Sequence, residues 1–247
     1  MKLNFRIENS TSANTKNIAL ADNIKYMTLA NEGVLTRNPL GTLPYDQNKI
    51  DHTAKGDNPL LYPNNNWIQE LIKNRTNNQR VNLNASGGTS KSKYYIAMTY
   101  NLDNGNLKQN SINGFSNNIK LQSYSLLSNV TLELTKTTEA LISLKGEFDD
   151  YSGPIGGGAA VYGSALSSNP VAFPAVYPRS YLPYEHHPLF GNALIPSTTN
   201  TLYTNPYAQS LSGYQSENTS TLTAQLSLKQ NLAFVTPGLS ARVMGYT

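Results

Sequence analysis

Apolar and polar side chains alternate along seven stretches of this chain, joined by connections that switch between short and long. In Arg80–Ser86, Val81, Leu83 and Ala85 fall on one side and Asn82, Asn84 and Ser86 on the other. Across Tyr94–Asn101, Tyr94, Ile96, Met98 and Tyr100 oppose Tyr95, Ala97, Thr99 and Asn101. Ala140, Ile142, Leu144, Gly146 and Phe148 oppose Leu141, Ser143, Lys145, Glu147 and Asp149. Leu222, Ala224, Leu226, Leu228, Leu232 and Phe234 oppose Thr221, Thr223, Gln225, Ser227 and Lys229. The pattern opens with Leu3, Phe5 and Ile7 against Asn4, Arg6 and Glu8, and closes with Ala241 and Val243 against Ser240 and Arg242. A period of two predicts strands with one apolar face. Asn113–Leu134 is less regular. Ile119 and Leu121 have one parity and Val130, Leu132 and Leu134 the other, which predicts a bulge or a change of environment near Tyr124.

Tight links are expected at Gly87–Lys93, Leu134–Glu139 and Val235–Gly238, and longer excursions at Asn9–Asn78, Asp103–Asn113 and Asp150–Ser212. Short turns at one end and long loops at the other are the habit of outer-membrane β-barrels. The excursions carry helix signals. Asp22 reads as the N-cap of a helix Asn23–Glu32 ended by Gly33, and Asp46 as that of a shorter one through Ile50 to Ala54, closed by Gly56. Trp67, Ile68, Leu71 and Ile72 make an apolar stripe at helical spacing within Asn66–Asn74. Asp149-Asp150 reads as the end of a strand at the rim, and Gly153–Gly158 as a flexible link with no helix behind it. The Asp150–Ser212 excursion interleaves prolines with Tyr162, Phe173, Tyr177, Tyr181, Tyr184, Phe190, Tyr203 and Tyr207, which predicts a packed loop rather than a disordered one.

Composition narrows the class. Charged residues are 14 %, mean hydropathy is −0.42, and no apolar run approaches the ~18 residues of a membrane helix. A barrel strand needs only one apolar face, so modest hydropathy leaves a membrane wall open. There is no cysteine, hence no disulfide or thiolate metal site. The net charge of +4 is scattered and forms no nucleic-acid stripe. Met1–Ile7 opens inside a strand pattern without a signal peptide, and Ser240–Thr247 stops within one, so residues 1–247 read as an internal piece of a longer protein, with long loops at about 9–78 and 150–212.

Several segments, in order, resemble landmarks of the SusC/RagA family of TonB-dependent outer-membrane transporters. They are Tyr26-Met27-Thr28-Leu29-Ala30-Asn31-Glu32, Tyr62-Pro63-Asn64 with Asn66-Trp67, and Leu83 through Tyr95 around Ser86-Gly87-Gly88. Asp103-Asn104-Gly105, Asn169-Pro170 with Ala172-Phe173-Pro174 and Tyr177-Pro178, Asn205-Pro206-Tyr207 and Gly213-Tyr214 continue the series. The similarity runs from about Ile18 to Thr247. It implies an all-β fold: a partial transmembrane antiparallel β-barrel of about seven strands with long, helix-containing extracellular loops. It further implies a 22-stranded parent barrel with an N-terminal plug, here absent. The implied activity is uptake of oligosaccharide or peptide with a SusD-like surface lipoprotein, energised by TonB through the missing N-terminal part, with outer-membrane lipid around the wall. Two open strand edges are costly in lipid, so the piece is not expected to span a bilayer alone, and in isolation it is expected to form an aggregation-prone curved sheet.

No catalytic constellation, cofactor or metal site is expected. Glu185-His186-His187 lacks a third spaced ligand. Asp149-Asp150 lacks a calcium-loop spacing, and no Gly-x-Ser-x-Gly elbow accompanies Ser164 and Ser167. Substrate or partner contact falls to the aromatic excursion: Tyr177, Tyr181, Tyr184, His186, His187 and Tyr203. Trp67 reads as packing, and Lys145, Glu147, Asp149, Lys229 and Arg242 as one hydrophilic wall. The competing class is a soluble secreted all-β module, a glycan-binding domain or adhesin, whose apolar faces would meet across a core. An all-β glycosidase needs two carboxylates in a cleft, and only Glu133, Glu147, Asp149 and Asp150 cluster.

Overall fold

The computed structural model describes residues 1–15, 18–110, 112, 114–196 and 200–247, so the loop boundary expected at Asn113 lies outside the described residues. Seven strands form one antiparallel sheet in sequence order. They are β1 (Lys2–Ala13), β2 (Arg75–Gly88), β3 (Ser92–Asn104), β4 (Lys120–Glu133), β5 (Thr138–Pro154), β6 (Tyr214–Asn231) and β7 (Ser240–Tyr246). Each strand pairs only with its neighbours in sequence, so the sheet is open, with β1 and β7 at its edges. The meander places the turns after β2, β4 and β6 at one end and the three excursions at the other.

The strands are longer than the alternation alone predicts. β1 continues through the polar run Asn9–Ala13 because Thr11 and Ser12 keep their places opposite Asn77 and Thr76. β5 runs past Asp149-Asp150 to Pro154, with Asp150 accepting from Asn218 Nδ2 at 2.8 Å, so that acidic pair is not a strand end. β6 stops at Asn231. Leu232 and Phe234 belong to the turn, where Leu232 O accepts from Val235 N at 2.9 Å and Phe234 projects outward. β4 has no bulge, since Lys120–Leu132 pairs without interruption with β3 and Lys120–Glu133 with β5. Its parity change is one of environment: a side chain added at Gly105 or Gly158 would strike Ile119, which lies under the excursions rather than on the sheet.

Helices lie in the excursions: α1 (Asn23–Leu35), α2 (Gln47–Lys55), α3 (Trp67–Leu71), α4 (Gly157–Ser167) and α5 (Pro206–Leu211). Asp22 and Asp46 cap α1 and α2 as expected, accepting from Lys25 N at 2.9 Å and Lys49 N at 2.6 Å. Gly56 ends α2 with φ 72°, the left-handed conformation glycine takes without a Cβ penalty. Gly33 does not end α1, which runs on to a Thr36 cap. Gly153–Gly158 is not a bare flexible link, because α4 begins at Gly157. That helix is built of small residues, and Val161 and Ala165 pack into the core.

The two buried apolar clusters lie off the sheet. Trp67, Leu71 and Ile72 from the first excursion, Leu107 from the second, and Val161, Ala165 and Phe173 from the third form one buried cluster. Met27, Ile50 and Val171 form a second. The excursions are also stitched by hydrogen bonds. Asn65 Nδ2 donates to Phe173 O at 2.7 Å, Lys108 N to Leu71 O at 2.7 Å, and Asn169 Nδ2 to the Tyr45 hydroxyl at 2.8 Å. Together they make a packed cap at one end of the sheet.

Candidate functional site: an apolar sheet face and its cap

The pairing register brings the alternating residues into rows. One runs Phe5, Leu83, Met98, Leu126, Gly146, Leu222; the next runs Leu3, Ala85, Ile96, Ser128, Leu144, Ala224. A third joins Ile7, Val81, Tyr100, Tyr124 and Phe148, and a fourth, toward the turns, joins Leu132, Ala140, Leu228 and Val243. All point to the same face. That face is uncovered: Phe5 is 64 % exposed, Met98 51 %, Leu144 44 % and Leu222 73 %. Among the described residues no second β layer or helix lies on it. A continuous exposed apolar face of this kind marks a surface that meets a partner or a membrane.

The opposite face is hydrophilic. Its rows include Asn4, Asn84, Ala97, Leu127, Lys145 and Thr223, and Arg6, Asn82, Thr99, Ser125, Glu147 and Thr221. Asn4 Nδ2 donates to Asn84 Oδ1 at 3.0 Å and the Thr99 hydroxyl to Asn82 Oδ1 at 2.9 Å. Charges are matched along the strands, Arg6 with Glu8 and Lys145 with Glu147, the latter at 2.8 Å. Lys145, Glu147, Asp149, Lys229 and Arg242 share this face, as the alternation predicts.

The structure separates the six contact residues expected in the third excursion. Tyr203 packs on the cap core, its ring 6.3 Å from that of Phe173. Tyr177 makes a bridge with Leu189, donating its backbone N–H at 2.8 Å. Tyr181, Tyr184, His186 and His187 lie instead on an exposed tip, where Arg179 Nη2 donates to His186 O at 2.8 Å and Tyr184 is 92 % exposed. Among the described residues no three of His, Cys, Asp and Glu converge on one point. Trp67 is packed, 3 % exposed, with its ring 5.9 Å from Phe173.

Where the three excursions meet, Glu70 of α3 sits near Lys108 and Tyr207, and Asn110 Nδ2 donates to the Tyr207 hydroxyl. Burial raises the Glu70 carboxyl above its ordinary 4.5, partly offset by the Asn66 N–H it accepts and by Lys108. Burial likewise raises the Tyr207 phenol. A carboxyl raised on folding binds its proton more tightly in the folded state, so stability falls as pH climbs from 4.5 through the folded value and stays lower above it. Glu70→Gln keeps an acceptor for Asn66 and removes the charge. Thermal melts followed by Trp67 emission are expected to show a higher midpoint than the parent at neutral pH, with the difference shrinking once both states of the parent are protonated. The same shift at all pH values would refute the electrostatic cause.

Sequence reasoning missed α5, although Asn205-Pro206 is a helix-start signal: Asn205 Oδ1 accepts from Tyr207 N and Ala208 N at 3.0 and 3.1 Å. It also missed a cleft of about 510 Å³ between the start of α1, Asn64–Gln69 and the end of α4, whose only sequence trace is the run Asn64-Asn65-Asn66. No protein-family model matches this chain, and no curated protein matches it significantly.

Proposed function

We propose that this chain forms part of the wall and extracellular cap of an outer-membrane TonB-dependent importer of the SusC/RagA type, taking up oligosaccharide or peptide with a SusD-like surface lipoprotein. The observation that carries the reading is the uncovered apolar face backed by a hydrophilic one, with every long excursion gathered at one end. In this arrangement the apolar rows meet lipid and the polar rows face the lumen. The wall itself performs no energised step, which belongs to the plug and to TonB.

Three further features support it. From Ala140 to Phe148 the apolar run on β5 covers about 27 Å at ~3.4 Å per residue, hence about 21 Å of height at a ~40° tilt, close to the ~25 Å band of such barrels. The band also descends the ladder. On β2 the apolar positions run from Val81, in the row of Phe148, to Ala85, in the row of Leu144, whereas on β6 they run from Leu222, in the row of Gly146, to Leu228, in the row of Ala140. Tilted strands make a level band cross hydrogen-bonded rows diagonally in this way. Finally, Tyr100 and Tyr124, with ring centroids 5.0 Å apart, stand at the cap-side limit of the band, and Tyr94 at the turn side, where interfacial aromatics belong.

The edges add a topological constraint. Successive strands are antiparallel, so β1 and β7 of this seven-stranded sheet run the same way. Closing them on each other would create one parallel pair. An all-antiparallel ring therefore needs an odd number of further strands between them. The competing soluble module would need something to cover the apolar face, and none of the described residues does so.

Fractionation of cells producing the whole protein tests the reading. The expected result is recovery in the outer membrane, resistant to alkaline carbonate and released by detergent. Recovery in the soluble fraction would overturn it.

A further inference from the structure

The charge that looks scattered along the sequence gathers at one end of the fold. Six of the 19 basic residues, Lys2, Lys91, Lys93, Lys136, Lys229 and Arg242, lie at the turn end of the sheet, with two of the 15 acidic ones, Glu133 and Glu139. The surplus there is four (6 − 2), the whole net charge of +4, while the rest of the sequence holds 13 of each sign (19 − 6 and 15 − 2). All eight are exposed, and none is ion-paired among the described residues. Glu133 and Glu139 stand opposite each other, but Glu139 also faces Lys229 across the ladder and Glu133 N donates to Lys91 O at 2.8 Å. Each acidic residue therefore neighbours a basic one, and the excess stays positive.

The cations follow the limit of the apolar band, not a row of hydrogen bonds. Lys2 is one residue on the turn side of Leu3, Lys93 of Tyr94, Lys229 of Leu228 and Arg242 of Val243, the last large apolar positions of their strands. Their rows step down β5, from Ser143 for Lys2 to Leu141 for Lys93 and Glu139 for Lys229 and Arg242. A level plane cuts tilted strands along such a diagonal, so the four mark one depth at the foot of the band. The alternation turns them to the hydrophilic face. Lys93, Lys229 and Arg242 are nevertheless within two residues of a strand end, about 7 Å at ~3.4 Å per residue. Long basic side chains clear a rim of that height, and Lys91 and Lys136 already stand in the turns. An acidic polypeptide has no reason to track the limit of an apolar band, whereas lipid phosphates lie at that limit. We propose that this collar binds anionic phospholipid headgroups at the turn side of the membrane. The inference rests on the lipid-facing wall proposed above and adds which lipids that wall holds.

The test reconstitutes the whole protein in phosphatidylcholine vesicles with a trace of spin-labelled phosphatidylglycerol or spin-labelled phosphatidylcholine. The motionally restricted fraction of each label gives its relative affinity for the wall. At low salt phosphatidylglycerol should be favoured roughly threefold, and the preference should vanish near ~1 M salt, where screening acts within ~3 Å. Lys93→Gln/Lys136→Gln/Arg242→Gln changes three exposed, unpaired side chains and should bring the ratio close to one. The charge-keeping Lys93→Arg/Lys136→Arg/Arg242→Lys should retain it. So should Lys25→Gln/Arg37→Gln/Lys55→Gln, which removes the same charge from exposed positions of the cap. A restricted fraction equal for both labels overturns the collar alone, as does a preference that the first variant leaves intact or the cap variant also removes. Saturable binding of octaglutamate with a lipid ratio of one assigns the collar to an acidic polypeptide and overturns it too. No restricted fraction with either label overturns the lipid-facing wall and, with it, the collar.

Discussion

Leu144→Arg is expected to abolish stable residence of the wall in the outer membrane, because it sets a charge at the centre of the apolar band. Leu144 lies midway along the Ala140–Phe148 run on the interior strand β5 and is 44 % exposed on the uncovered face. A cationic side chain at the bilayer midplane of a barrel costs about 2–4 kcal/mol. Such a loss is a large part of the ~5–15 kcal/mol that separates a folded protein from its unfolded state. Ser125→Arg supplies the control. Ser125 is on the hydrophilic face, directly across from Glu147 on β5, so a new guanidinium there meets a carboxylate. The level of protein in washed outer membranes should fall sharply for the first variant and stay near the parent for the second. Equal levels for both would mean that the two faces do not differ in solvent.

Phe173→Ala is the second large effect. Phe173 is 2 % exposed at the junction of the excursions, its ring 5.9 Å from Trp67 and 6.3 Å from Tyr203. Truncating a buried phenylalanine costs about 3–5 kcal/mol, since the cavity left behind adds to the lost transfer energy. The cost falls on the cap and not on the strand ladder, because the core cluster contains no strand residue. Limited proteolysis should therefore cut within residues 155–213 far faster than in the parent, and Trp67 emission should shift to the red, with the strand signal in circular dichroism retained. Tyr184→Ala, at a position 92 % exposed, is expected to change stability by no more than about 0.5 kcal/mol.

The strands were legible because period-two alternation survives wherever one face is apolar: Ala140–Asp149 and Tyr94–Asn101 both read directly. Their ends were not. Asn9–Ala13 and Tyr214–Thr219 extend the ladder beyond the apolar band in polar residues, whose backbone pairing leaves no mark on hydropathy. Leu232 and Phe234 misled in the opposite sense, since their parity continued β6 into a turn. The caps at Asp22 and Asp46 were readable because a short acidic side chain before an apolar run has one common use. α4 was not, because its glycine-rich opening carries a loop's composition and its helical stability comes from Val161 and Ala165 reaching the core. Of the six aromatic and histidine positions singled out, residue type alone could not distinguish packed Tyr203 from exposed Tyr184. The cleft was beyond sequence reading for a similar reason. Asn23 and Asn64, far apart in the first excursion, meet Ser168 of the third only through packing.

Single cysteines carrying a nitroxide at each position from 140 to 149, in a chain with no cysteine of its own, test most directly whether the apolar face meets hydrocarbon. In the whole protein in membranes, labels at 140, 142, 144, 146 and 148 should be accessible to oxygen and shielded from a water-soluble nickel chelate. Labels at 141, 143, 145, 147 and 149 should show the reverse. Loss of that alternation, or nickel access at 142 and 144, would contradict a lipid-facing wall.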